Sequence, residues 1–275
     1  SRFVDLQLCA AMTRELTHQS RISYGLRAQY LRTGNFKRVA DLLGGAEFSD
    51  IDYFLVDDDT FSNMLNNDLQ HPDRKVGVRD KYGYHYALTN LQTHLFATYN
   101  GDFERVQLQA TAQIGTQQIY RKGLFRKELF ADTSLGRSKT LNFIPWLFSA
   151  EARWSIAPSH TLYDHLRAEA VATDGEDMFL QTQYNNRTVE SPTLANLYTA
   201  SVGYKFHNHK LVVDGSLFLR YSSNQTTVSH LYYDAAAEFA DVVTSGINTL
   251  CFGFEAEAHY NFAKSWTAAA GLCAG

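Results

Sequence analysis

In residues 245–275 nearly every second side chain is apolar, and that alternation limits the possible folds more than anything else in the chain. Asn248, Leu250, Phe252, Phe254, Ala256, Ala258, Tyr260 and Phe262 interleave with Thr249, Cys251, Gly253, Glu255, Glu257, His259 and Asn261. Period two is a β-strand, and one greasy face opposite one wet face places the strand between two solvents. Upstream, Tyr198, Ala200, Val202, Tyr204 and Phe206 repeat the pattern. So do Leu211, Val213, Gly215, Leu217, Leu219 and Tyr221, after a short turn at residues 207–210. Strands of an aqueous sandwich also alternate but usually run only about 5–6 residues. These approach the ~9–11 residues that a tilted strand needs to cross a bilayer.

Composition agrees with a wall that is half lipid-facing and half water-facing. The hydrophobic fraction is 45% and the mean hydropathy −0.30, with only short apolar runs, so no apolar helix spans a membrane. Aromatic residues make up 13%, enough for interfacial girdles. The net charge of −4 and the absence of a basic stripe exclude a nucleic-acid partner. Cys9, Cys251 and Cys273 have no metal-like spacing and read as small strand residues, an odd disulfide being the alternative.

In chain order, a weak strand covers residues 3–12. A clearer one places Ile22, Tyr24, Leu26, Ala28 and Tyr30 opposite Arg21, Ser23, Gly25, Arg27 and Gln29. Between Leu88 and Leu91 the apolar parity changes from even to odd, which predicts a β-bulge there. A turn at residues 100–103 leads to Val106, Leu108, Ala110, Ala112 and Ile114. A fifth strand carries Trp146, Phe148, Ala150, Ala152 and Trp154, with Pro145 expected where its ladder pairing begins. Short turns near 15–20, 100–103, 157–160, 207–210 and 263–264 alternate with long loops at 34–80, 120–139, 173–193 and 224–244. Short periplasmic turns and long extracellular loops are the asymmetry of an outer-membrane β-barrel.

The expected fold is therefore all-β, a transmembrane antiparallel barrel of about ten strands in this chain. An open sheet leaves two bare edges in hydrocarbon, where each unpaired backbone group costs several kcal/mol. Either the ten strands close on themselves or further strands complete the ring.

The runs ESPTLANLYTASVGYKF, LVVDGSLFLRYSS and YYDAAAEFADVVTSGINTLCFGFEAEAHY resemble the C-terminal half of the barrel in TonB-dependent outer-membrane receptors of the Bacteroidota kind. NNDLQHPDRKVGVRDKYGYHYAL is similar to the ND-x-NP-x-R-x-V…D-K-x-GY region of that group. The likeness covers most of the chain and is densest over residues 190–260. It implies a 22-stranded barrel in the bacterial outer membrane, with an N-terminal plug, that imports a scarce ligand with energy delivered through TonB. It also implies residence in outer-membrane lipid, coupling to the TonB complex through an N-terminal part outside these residues, and a surface lipoprotein as a candidate partner. No TonB box, plug, first barrel half or closing strand with a C-terminal aromatic occurs in these 275 residues, so residues 1–275 are expected to be the C-terminal portion of the barrel. Iron chelate, haem, cobalamin, glycan and peptide all stay open as ligands. A passive porin and a surface-binding barrel or adhesin are the competing classes.

Arg105, Arg153, Arg167, Glu169, Asp214, Arg220, Glu255 and Glu257, with Glu151, fall on the wet face. They either line a substrate path or, on the plainer reading, hydrogen-bond across the lumen or hold a plug. In the loops, Asp57, Asp58, Tyr232 and Tyr233 are candidate ligand contacts; Tyr232 and Tyr233 serve equally as interface anchors. Asp50, Asp52 and residues 57–59 offer Ca²⁺-type oxygens without EF-hand spacing, so solvated loop charge is the default. The HNH at 207–209 reads as an exposed turn. GxSxG, HExxH, Walker A and GxGxxG are absent, and neither a catalytic residue, a metal nor a cofactor is expected. His165 beside Asp164 supports a hydrolase poorly, because strand neighbours face opposite sides. On this facing, Arg placed at Ala256 meets lipid, and Arg at Gly253 meets the lumen and is expected to be milder.

Overall fold

A computed structural model of the chain describes residues 2–57, 59–172, 175–233 and 238–275. Ten long strands form one antiparallel sheet: β1 (Arg2–Thr17), β2 (Ser20–Arg38), β3 (Lys81–Phe103), β4 (Val106–Gly123), β5 (Trp146–Ala157), β6 (His160–Ala172), β7 (Leu194–His207), β8 (Leu211–Tyr233), β9 (Glu238–Ala263) and β10 (Trp266–Ala274). Each long strand pairs with the next in sequence, and the short segments Gly136–Arg137 and Leu141–Phe143 pair back onto β4. Among the described residues β1 and β10 are not paired to each other, so both edges are open.

The register confirms the two faces. Outward lie Leu250, Phe252, Phe254, Tyr260 and Phe262, with fractional exposures of 59, 66, 37, 45 and 55%. They share that face with Leu219, Leu217, Leu95 and Trp154. A continuous exposed apolar band of this size belongs in lipid. Among the described residues one carboxylate interrupts it: Asp164 is outward between Leu162 and Leu166, and its Oδ1 accepts the Ala152 amide at 3.0 Å.

Several expectations shift by a few residues. The turn is at residues 104–105, because Gly101 still pairs with Ser20 and Leu108, and Phe103 with Val106. Arg105 therefore sits exposed in the turn and not on the wall. No bulge separates Leu88 from Leu91, since pairing with β4 runs unbroken from Tyr86 to Phe103. The irregularity lies where Phe36 pairs with His85 and Lys37 with Tyr82. The parity change is real, but its cause is a change of surroundings. Below it the inward face meets the lumen; above it Leu88 and Tyr86 face inward into a packed interior under the loops. Pro145 precedes β5, yet Phe143 opposite Gln117 and Trp146 opposite Ile114 keep one register across it.

The fourth expected loop is not a loop. Residues 227–233 pair with 238–244, so β8 and β9 continue as a ribbon beyond the wall, with irregularities near Gln225. Likewise residues 34–38 belong to β2, and 120–123 to β4.

Gly253 is also unsuited to the milder substitution expected of it. A Cβ there would meet the Ala274 carbonyl oxygen at 2.3 Å and the Phe218 ring at 2.8 Å. Its lumenal face is already covered by the cross-strand Phe218. Arg at Gly253 is therefore expected to disturb pairing whatever the solvent, and Glu255, exposed on the same face, is the appropriate lumenal comparison.

Candidate functional site

The inward face changes character along its height. Near the short turns it borders a cleft of about 560 Å³ lined by Glu15, His18, Arg21, Asp102, Glu151 and Arg153. In mid-wall, Arg167 and Glu169, two apart on β6, pair through two hydrogen bonds of 2.9 and 2.7 Å. Tyr163 donates its hydroxyl to Asp214 at 2.5 Å, and Lys205 lies 3.4 Å from the same carboxylate. Glu257 approaches His259 at 3.6 Å. Glu255 and Arg220 are exposed on this face. Higher up, Gln92, His94, Gln113, Gln117, Leu147 and Glu169 enclose a cavity of about 200 Å³.

Tyr163 reaches Asp214 because Gly203, opposite it on β7, carries no side chain. A Cβ at Gly203 would fall 2.2–2.4 Å from the Tyr163 ring. Gly203→Val is expected to cost about 1–3 kcal/mol by overpacking, read as a lower denaturation midpoint of the purified protein.

The trio Ser149, His165 and Glu151 is not a hydrolytic triad. Ser149 Oγ and Glu151 Oε1 both approach the same nitrogen, Nε2, at 3.3 and 4.0 Å. A triad needs the carboxylate on the other ring nitrogen, to fix the tautomer. Asp164 faces away, as strand alternation requires. Among the described residues no three His, Cys, Asp or Glu side chains are placed to hold a metal. Cys9, Cys251 and Cys273 are free thiols.

Above the wall the described parts of three loops, residues 39–57 with 59–80, 124–145 and 175–193, fold together over the inward face as one cap. Ile119, Leu141, Phe143, Met178 and Phe179 form its apolar core, packed against Leu88, Ala172 and Leu194. Two buried cations tie the pieces together. Arg121, only 1% exposed, donates Nε to the Thr182 carbonyl (2.5 Å), Nη1 to the Ser134 carbonyl (3.1 Å) and Asn186 Oδ1 (2.6 Å), and Nη2 to the Gln183 carbonyl (3.1 Å). Its guanidinium lies 4.9 Å from the Tyr86 ring centre. Lys127 Nζ donates to Asp52 (2.6 Å) and Asn67 (2.8 Å) and stands 4.6 Å from the Tyr184 ring centre. Burial holds the Lys127 ammonium below its ordinary pKa, against the opposing pull of Asp52. Burial, followed by the charge of Asp52 and by Tyr84, pushes the Tyr184 phenol up to about 12.

Of the carboxylates that sequence assigned to solvent, Asp50 and Asp52 are instead fastenings of the cap, while Asp57 and Asp59 are exposed. Asp50 is buried, pairs with Arg74, and accepts from Asn67 Nδ2 (3.0 Å) and the Gly83 amide (2.8 Å). Asp68 accepts the Gln70 and Arg126 amides. Asn67, Asp68, Arg74 and Gly83 all lie in the NNDLQHPDRK…GY stretch, so here that stretch acts as scaffold. Asp57 is exposed beside the short helical turn Tyr53–Leu55. Asp58 lies outside the described residues, as do the side chains of Tyr232 and Tyr233 in the β8–β9 ribbon. In the 207–209 turn, Asn208 accepts the Lys210 and Leu211 amides, and His207 and His209 are exposed.

The Tyr184 shift sets a pH dependence. A phenol whose folded pKa lies above its ordinary 10.0 favours the folded cap in its neutral form. That contribution is complete below pH 10 and is lost as pH rises from 10 to about 12. Amide exchange in residues 175–193 is expected to show this extra alkaline loosening in the parent protein and not in Tyr184→Phe.

No protein-family profile matches this chain, and no curated protein does. Solved structures share its fold. The copper transporter OprC is 15% identical, with a TM-score of 0.65 over 99% of this chain and 37% of its own. The FrpB iron transporter from Neisseria meningitidis (F3-3 variant) is 13% identical, with a TM-score of 0.62 over 98% and 35%. The ferric-catecholate import receptor Fiu from E. coli K12 is 13% identical, with a TM-score of 0.55 over 99% and 38%. The chain thus spans little more than a third of the length of these proteins, and its fold is that of part of an outer-membrane β-barrel wall.

Proposed function

We propose that this chain is the C-terminal part of the barrel of a TonB-dependent outer-membrane receptor that imports a scarce ligand across the bacterial outer membrane. The observation that carries the reading is the cap. Three long loops fold inward as one apolar, ion-paired body over the polar inward face, on the loop side of the wall. Import names among the structural neighbours support the same reading, as do the quoted family-like stretches. The plug, the remaining strands and the coupling to TonB belong to the whole protein. An iron or copper chelate, haem, cobalamin, glycan or peptide is the cargo class, and a surface lipoprotein is a candidate partner at the loops.

The test is uptake by cells making the full-length protein, with labelled ferric chelate, copper, cobalamin and haem, with and without functional TonB. Accumulation that requires TonB is expected. Uptake of small solutes that persists without TonB identifies a passive porin, and ligand retained at the surface without entry identifies a binding barrel.

A further inference from the structure

We infer that an apolar furrow on the outward face, with Asp164 at one end, holds a phospholipid whose headgroup is a primary ammonium; this rests on the outer-membrane reading above. Asp164 is exposed, and its outward neighbours are apolar on every side. Leu162 and Leu166 flank it along β6, and Ala152 and Val202 lie opposite it on β5 and β7. Its Oδ1 accepts the Ala152 amide at 3.0 Å, and among the described residues no cation pairs with it. A carboxylate left without a counter-charge in an apolar band is costly, and calls for a partner from outside the wall.

The depth of Asp164 suits a headgroup. One outward step nearer the short turns, Leu162 lies between Trp154 and Tyr204, and Tyr204 is hydrogen-bonded to His160. Such a girdle of aromatic rings sits at headgroup level. Two residues of a strand tilted by about 40° rise only about 5 Å. A headgroup of the leaflet on the short-turn side therefore reaches the carboxylate.

From Asp164 the furrow, of about 880 Å³, runs across the strands as far as Ala274 on β10. Val202, Leu217 and Phe254, in register with Asp164, form one bank. Leu166, Ala200 and Leu219, one outward step further from the short turns, form the other. Between the banks the floor is backbone, because the side chains of the intervening row point inward. Among the described residues Asp164 is the one charged group of the lining.

An apolar channel with an anion at its end matches an acyl chain with a cation at its head. An ammonium with three N–H donors both neutralises the carboxylate and hydrogen-bonds to it. A choline head brings the charge without a donor, and a phosphatidylglycerol head brings a second anion. The occupant is therefore a lipid of the phosphatidylethanolamine class.

The experiment uses the full-length protein in phosphatidylcholine nanodiscs with a rising fraction of phosphatidylethanolamine, and counts retained lipid by native mass spectrometry. Phosphatidylethanolamine is expected to be retained in preference and to saturate, with the preference falling at each N-methylation of its head. Asp164→Asn should lower its retention by about tenfold or more, the loss of one charged hydrogen bond. Ala200→Phe, which fills the furrow, should lower retention of both lipids. Glu255→Gln, a carboxylate lost from the inward face, should change neither. Equal retention of the ammonium and choline lipids by the parent protein overturns the inference, and decides it even if Asp164→Asn fails to assemble. So does a preference that survives Asp164→Asn, or a second protein held through Asp164 in place of lipid. A protein that does not enter the nanodisc refutes the membrane wall and this inference with it. TonB-dependent uptake without the lipid preference refutes this inference alone, and the preference without such uptake refutes only the function proposed above.

Discussion

Arg121→Met should release the cap while leaving the strands in place. The guanidinium serves four acceptors on two loops, the carbonyls of Ser134, Thr182 and Gln183 and the side chain of Asn186. Methionine fills similar volume and donates nothing. Each buried acceptor left without a donor costs roughly 1–3 kcal/mol, so the loss is on the order of 4 kcal/mol even if water reaches some of them. The expected signature is local: faster amide exchange and protease cleavage in residues 124–145 and 175–193, with β6 to β8 still protected. Arg121→Lys should not restore protection, because an ammonium cannot span carbonyls on both loops with one planar fork. Unchanged exchange in those loops would show that the apolar cluster around Phe179 holds the cap unaided.

The second large effect is expected on the other face. Ala256 is exposed between Phe254 and Ala258 on the outward side of β9. Arginine there puts a cation in hydrocarbon, at about 2–4 kcal/mol near the midplane. Glu255→Arg puts the same charge one residue away, among lumenal polar groups. Assembly, followed as heat-modifiable migration of the membrane-inserted full-length protein, should fall sharply for Ala256→Arg and little for Glu255→Arg. Equal loss in both would contradict the assigned facing.

What could be read from residues alone follows from what imposes a pattern. Lipid on one side and water on the other dictate period two, so the facing of Leu250–Phe262, Ile22–Tyr30 and Val106–Ile114 was legible. So was the alternation of short turns with long excursions. The cap was not, because its contacts are few, polar and distant in sequence: Arg121 and Thr182 are 61 residues apart. No local spacing announces such a pair, and Asp50 or Lys127 in a loop looks like solvated charge. One signal was available and misassigned. The parity change after Leu88 marks where the inward face leaves water for a packed interior, and a bulge was the wrong explanation for it. Arg105 was misplaced for a simpler reason: Asn100 and Gly101 favour a turn, but pairing with β2 and β4 overrides that preference.

The order of the sheet has a consequence for how such a wall can change over time. Every long strand has its sequence neighbour as its spatial neighbour, so the basic building block is a hairpin with its own register. Duplication or loss of one hairpin inserts or removes two adjacent staves and leaves every other stave against its old partner. Circumference can therefore drift in steps of two while the inside and outside of each remaining stave stay fixed.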